Sequence, residues 1–155
     1  MKKQVKNNNL VSFKKQIIAI LSLAAISLFL MMIDVCTEIY YYSQNMDAEQ
    51  FPKAFTYVHI CFALIELLAT ITILVLNSTT YCIYKKNNEL NKQNINLFIC
   101  NWFFSCLYIV LSIIAASLLG IKHPPLIQAF LAGFAVLPMV GMTTIGGMMF
   151  TSFNK

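Results

Sequence analysis

Four long apolar runs, separated by short polar segments, make up most of the 155 residues. A helix crosses the ~30 Å hydrocarbon core of a bilayer with about 20 residues, so each run is long enough to span it. The linking segments are short, which favours antiparallel neighbours. We therefore expect an all-α, polytopic membrane protein, a single domain over residues 1–155 folded as an up-down bundle of four transmembrane helices. The predicted helices cover about residues 16–40, 54–84, 95–119 and 126–150.

The N-terminal region reads as a basic, polar arm, Met1 to Lys15, followed by the first apolar run. A cleaved signal peptide also begins with lysines and an apolar stretch. This run is long for a signal peptide, and it ends in Met-Met-Ile-Asp without a small-x-small cleavage site. We interpret it as a retained helix that continues toward the tyrosine cluster at residues 40–42.

Composition supports a membrane protein and argues against nucleic-acid binding. Hydrophobic residues make up 59% of the chain and charged residues 11%, whereas soluble domains are nearer half and a quarter. All eleven basic residues are lysines that flank the apolar runs, and the arginine usually used to read bases is missing. The lysines are better explained by membrane orientation.

The distribution of lysine predicts which way the chain is inserted. Nine lysines fall on one side of the predicted membrane, and only Lys53 and Lys122 fall on the other. Lysine is enriched in short cytoplasmic loops, so we expect both termini in the cytoplasm and residues 34–53 outside. Asn77-Ser-Thr matches a glycosylation sequon, but it would then lie at the cytoplasmic side and stay unmodified.

The five cysteines show no C-x-x-C spacing, which argues against a redox motif or a zinc site. We expect them to be buried free thiols that behave as small apolar groups.

Polar residues recur at spacings of three and four on the second and third helices. On helix two the face runs through His59, Glu66 and Thr70 toward Asn77, and such spacing places residues on one side of a helix. Lipid offers polar groups no partners, so both faces should point toward protein. Interhelical packing is the favoured interpretation, and a polar pathway or ligand pocket is the alternative. The predicted intramembrane stripe comprises His59, Glu66, Thr70, Asn101, Ser105, Tyr108 and Ser112.

Glu66 is the strongest single candidate for a functional residue. It lies about eleven residues into helix two, or ~16 Å below the membrane surface, which is near the bilayer midplane. A charge at that depth costs ~3 kcal/mol or more. We expect an uncharged side chain that faces the bundle interior and hydrogen-bonds a hydroxyl on helix three, where Ser105, Tyr108 and Ser112 are at matching depth. One interpretation is structural, with Glu66 joining two helices by a hydrogen bond. The alternative is functional, with Glu66 relaying a proton or contacting a ligand.

Small residues on helices three and four indicate close helix packing, since they let backbones approach. On helix four the close contact is either inside this bundle or against a partner. The predicted packing positions are Ala116, Gly120, Ala129, Gly133 and Gly141.

Other candidates for chemistry are weak. Asp34 and Glu38 share a helix face and could contribute to a calcium site, but two carboxylates alone more often form a solvated helix end. A haem held by His59 and His123 is disfavoured, because His123 precedes two prolines in a turn. We expect no cofactor.

Three classes of function remain. The first is a non-catalytic tetraspan protein, an accessory, scaffold or membrane-organising subunit with protein partners in the membrane or as a homo-oligomer. The second is a small transporter or channel subunit that uses the Glu66 stripe. The third, a lipid-modifying enzyme, is weakest because no nucleophile–base pair is evident.

Overall fold

The structure is a computed structural model. It describes the backbone of residues 2–43, 53–86, 92–118 and 125–153, and within these the side chains of 14–40, 43, 57–86, 92–117 and 133–153. The described chain is entirely helical. Its elements are α1 (Lys2–Ser43), α2 (Lys53–Lys86), α3 (Lys92–Leu118) and α4 (Pro125–Phe153).

Each helix contains a segment long and apolar enough to cross a membrane, so the predicted all-α fold with four candidate spans is confirmed. These segments are Lys14–Tyr40, Tyr57–Lys86, Lys92–Ser117 and Gly133–Phe153.

The start of α1 differs from the prediction. The helix begins at Lys2, so interpreting the first 15 residues as an arm separate from the first helix was wrong. The segment contains neither proline nor glycine, the two residues that most disfavour a helix interior. An apolar run therefore marked the membrane span but not the length of the helix. At its other end α1 continues through the tyrosine cluster to Ser43, as expected.

The helices form a ring in chain order, because α1 packs on α2, α2 on α3, α3 on α4, and α4 on α1. Contacts show that neighbours are antiparallel. Gln16 near the start of α1 meets Thr80 near the end of α2, whereas Asp34 near the end of α1 meets His59 near the start of α2. The start of α1 and the end of α4 consequently lie at the same end of the bundle.

The bundle core follows an alternation of three- and four-residue steps on every helix. This spacing keeps one seam of each helix facing its neighbours. The buried positions on these seams are Ile17, Ile20, Ala24, Ser27 and Met31 on α1; Glu66, Thr70, Ile73, Asn77, Thr80 and Tyr84 on α2; Asn94, Phe98, Asn101, Ser105 and Tyr108 on α3; and Met139, Met142, Gly146 and Met149 on α4, with Pro138 also buried beside Met139.

Two glycines allow close contacts between helices. An added Cβ at Gly146 would lie 3.4 Å from the Cα of Leu21, so α1 and α4 approach closely there. An added Cβ at Gly141 would lie 2.7 Å from the ring of Phe104, so this ring packs directly on the α4 backbone.

The outer surface of the bundle carries large apolar side chains, as a lipid-facing surface should. On α2 these include Leu64, Leu68 and Val75, each more than half exposed. All five cysteines are free and also face outward. The expectation that they are buried was therefore wrong, and in lipid a small apolar thiol has no need of the protein core.

Candidate functional site

The centre of the candidate site is a hydrogen bond between α2 and α3. The hydroxyl of Tyr108 donates to Oε2 of Glu66 at 2.8 Å. Both side chains face inward and are 3% exposed. The structure thus contains the contact that depth and helix face predicted.

Hydroxyl groups lie one turn further along the interface between α2 and α3, which we call the α2–α3 seam. Thr70 is fully buried, and its hydroxyl donates to the Glu66 carbonyl one turn earlier, at 2.9 Å. Ser105 lies opposite on α3, with its oxygen 2.8 Å from the Asn101 carbonyl and 3.2 Å from the sulfur of Met142 on α4. Both hydroxyls bond mainly to carbonyls of their own helices. They therefore make the seam polar but contribute little to holding α2 against α3.

Two asparagines carry the polar seam further. The Asn77 amide donates to the Phe98 carbonyl on α3 at 3.0 Å. Asn101 is completely buried, and neither polar atom of its side chain has a hydrogen-bond partner in the described part of the chain. The Asn77 side chain is also completely buried, so a glycan on its sequon is incompatible with the folded bundle.

Interhelical polar contacts continue to the end of the bundle where the chain begins. The hydroxyl of Thr80 donates to Oε1 of Gln16 at 2.9 Å. The hydroxyl of Ser152 on α4 donates to Oδ1 of Asn94 on α3 at 3.0 Å. Polar pairs therefore connect α1 to α2 and α3 to α4 at this end.

The opposite end holds a histidine between two carboxylates. Nδ1 of His59 lies 2.7 Å from Oδ1 of Asp34, and Nε2 lies 3.6 Å from Oε1 of Glu38. The three side chains are partly buried, between 15% and 27% exposed. Each ring nitrogen faces a different carboxylate, an arrangement suited to an imidazole that accepts and releases a proton. Among the described residues no group of three potential ligands has metal-binding geometry.

The remaining stripe and packing residues divide between the interior and the outside. Ser112 is half-buried, and its hydroxyl donates to the Tyr108 carbonyl. Gly141 makes the close contact with Phe104. Ala116 and Gly133 instead face outward, and an added Cβ at Gly133 would meet nothing within 4 Å. The expected close packing at these two positions is therefore not formed inside the bundle.

The error at Ala116 has a geometric cause. Successive steps of four residues rotate by about 40° each around a helix of 3.6 residues per turn, and the ladder from Ser112 through Ala116 to Gly120 uses two of them. The buried face instead alternates three and four, so the side chain turns away by position 116. Gly120 lies outside the described residues, and the side chain of Ala129 on α4 does as well.

Sequence reasoning missed several polar residues of the bundle interior and ends. Gln16, Ser27 and the pair Asn94–Ser152 were not singled out, and Asp34 and Glu38 were not joined to His59. A signal existed for the last of these, since all three residues fall on the same side of the predicted membrane. Whether Asp34 and Glu38 reach His59 depends on the rotation of α1 about its axis, and a single sequence does not reveal that rotation.

Comparisons with known proteins provide no identification. No protein-family model matches the chain, and neither a curated protein nor a solved structure is significantly similar to it. Function must therefore be argued from the geometry alone.

Proposed function

We propose that this protein is a non-catalytic tetraspan subunit of a membrane complex, and that the outer face of α4 packs against a transmembrane helix of its partner. The supporting observation is the contrast between glycines on α4. Gly141 and Gly146 face inward and contact neighbouring helices, whereas an added Cβ at Gly133 or Gly147 would meet nothing within 4 Å. Outward-facing glycines let another helix approach closely.

The outer face of α2 serves as a reference for a lipid-facing surface. Leu64, Leu68 and Val75 protrude from it, and such side chains suit acyl chains. On α4, Gly133, Val140 and Gly147 follow one another at seven-residue spacing, which keeps them near one line along the helix. This line provides two notches without side chains, and so supports a partner helix at α4 rather than at α2.

Substitution of the outward-facing glycines tests the partner. In native membranes, Gly147→Leu should shift the protein from a larger complex to a smaller species on a native gel, because leucine would fill the notch. Ala63→Leu is the matched control, since Ala63 also faces outward but lies on α2. An unchanged complex in the double variant Gly133→Leu, Gly147→Leu would contradict the proposal. Native mass spectrometry of the wild-type complex then shows whether the partner is a second copy of this chain or another protein.

The orientation of this subunit is part of the proposal. Lys14, Lys15, Lys85, Lys86 and Lys92 lie at one end of the bundle, and the Asp34–Glu38–His59 cluster lies at the other. The lysine-rich end is inferred to be cytoplasmic. Membrane-impermeant labelling of cysteines introduced at Asn45 and Asn88 tests this, and labelling of Asn88→Cys from outside intact cells would reverse it.

A further inference from the structure

Buried polar atoms without partners are concentrated in the bundle interior. In the described part of the chain, Ser27 Oγ, Glu66 Oε1, Asn77 Oδ1 and both polar atoms of the Asn101 side chain lack a hydrogen-bond partner. These four side chains are at most 3% exposed, and they come from three different helices. At the end of the bundle that contains His59, Oε2 of Glu38 is also buried without a hydrogen-bond partner among the described residues.

Such atoms are costly if the interior is dry. A buried polar group that loses its partner costs about 1–3 kcal/mol, and native proteins usually satisfy these groups with ordered water. A purely structural clasp would need only the Tyr108–Glu66 bond, yet the second oxygen of Glu66 and both ends of the Asn101 amide also point into the interior. The arrangement is therefore suited to binding water between α2 and α3.

The polar positions extend through the full thickness of a membrane. From His59 to Thr80 the helix advances by 80 − 59 = 21 residues, or about 32 Å at 1.5 Å per residue. The hydrocarbon core is ~30 Å thick. Between these ends the seam carries Glu66 with Tyr108, Thr70 with Ser105, then Asn101 and Asn77. Residues 60–65, which cover ~10 Å of α2, offer no polar side chain, so the step from His59 to Glu66 depends on water alone.

We propose that this seam holds a file of water molecules and forms a proton route across the bundle, with Glu66 as the group that binds the proton midway. This inference is independent of the partner helix at α4, because every residue it uses except Met142, which contacts Ser105, lies on α1, α2 or α3.

The transfer needs only an electrochemical gradient of protons across the membrane. A proton from one side adds to the imidazole of His59, which Asp34 and Glu38 hold in place. It passes through water to the carboxylate of Glu66, where an O–H bond forms as the O–H bond of hydronium breaks. Water beside Asn101 and Asn77 then accepts the proton and carries it toward Thr80 and Gln16. No electron is transferred, and each residue returns to its starting state.

Proton flux into vesicles tests the route. The purified full-length chain is reconstituted into liposomes that contain a pH-sensitive dye, and a potassium gradient with valinomycin drives protons inward. The expected result is acidification at least tenfold faster than in empty vesicles, reduced to the empty-vesicle rate by Glu66→Gln and partly retained in Glu66→Asp. Thr72→Val is the control, because its hydroxyl faces outward and bonds the Leu68 carbonyl of its own helix.

Two results would overturn the proposal. One is a wild-type rate equal to that of empty vesicles, and the other is a Glu66→Gln rate equal to the wild type. Flux that follows an imposed sodium gradient at constant pH would replace the proton by a metal cation.

Infrared spectroscopy provides a readout that does not require the Glu66→Gln variant to fold. If water reaches Glu66, the carboxyl bands of the wild-type protein should change within minutes of transfer to D2O and should respond to pH. A carboxyl that exchanges only after the bundle is unfolded would show a sealed clasp and would overturn the route.

Discussion

The seam between α1 and α4 differs in character from the seam between α2 and α3. At the first, Leu21 approaches Gly146 so closely that an added Cβ would be 3.4 Å from a backbone atom, and Ile17 and Met149 share an apolar cluster. At the second, Glu66 bonds Tyr108 and Asn77 bonds the Phe98 carbonyl. One seam is joined by the fit of apolar surfaces and the other by hydrogen bonds.

The difference shows how a helix pair is stabilised where lipid surrounds it. Acyl chains are as apolar as leucine, so helix association depends on close packing and on interhelical hydrogen bonds. Where their side chains are described, α1 and α4 are joined by close packing, which tolerates little change of shape. Hydrogen bonds join α2 to α3 individually, and each contributes modestly, so this seam can remain polar and imperfectly filled.

The largest effect is expected at the apolar seam. Gly146→Leu places a side chain against the α1 backbone and should lower the free energy of unfolding by ~1–3 kcal/mol or more, the usual cost of overpacking. The measurement is SDS-induced unfolding in mixed micelles, followed by circular dichroism. Gly147→Leu is the matched control on the adjacent residue and should leave unfolding of the isolated chain nearly unchanged. Equal effects of the two variants would mean that α1 and α4 do not approach as described.

A smaller effect is expected from Asn77→Leu, which removes the bond to the Phe98 carbonyl. Interhelical hydrogen bonds in membranes average ~0.6 kcal/mol with a maximum near 1.7 kcal/mol, and the change also removes the unpartnered Oδ1. The same unfolding assay checks it, with Thr79→Val as the outward-facing control on the same helix. If Asn77→Leu destabilises the protein as much as Gly146→Leu does, the distinction between the two seams fails.

The smallest effect is expected from Ser78→Ala. The Ser78 hydroxyl accepts a bond of 3.0 Å from the indole Nε1 of Trp102 at the partly buried margin of the α2–α3 seam. Its loss should cost less than ~0.6 kcal/mol, the average for such bonds. Trp102 is the single tryptophan of the chain, so its fluorescence emission should shift even though stability barely changes. Emission identical to that of the wild type would show that the bond is not populated.

The helical fold was predictable because the membrane constrains it strongly. An uninterrupted apolar run must be helical in lipid, where backbone groups have no other partners, and this places four spans without knowledge of tertiary contacts. Helix ends were less predictable. The structure extends α2 to Lys86 and starts α3 at Lys92, where the prediction gave residues 84 and 95, because lysines and asparagines beyond the bilayer neither require nor prevent a helix.

The candidate site was predictable where one helix face determined it. Depth alone placed Glu66 level with three hydroxyls of helix three, Ser105, Tyr108 and Ser112, since two antiparallel helices of known span fix the levels of their residues. The structure shows that Tyr108 is the partner. The cluster of His59 with Asp34 and Glu38 depends in addition on the rotation of α1 about its axis. Apolar residues surround the membrane-spanning part of α1, and a helix that is apolar all round does not reveal which side faces the core.

The contact between Phe104 and Gly141 constrains how this sequence can change over generations. A methyl group at position 141 would meet the ring at 2.7 Å, so even alanine requires the ring to move. A smaller residue at position 104 removes the obstacle and leaves a space that a side chain at 141 can then occupy. In related sequences a smaller residue at position 104 should therefore arise before a larger residue at position 141, and the two positions should covary.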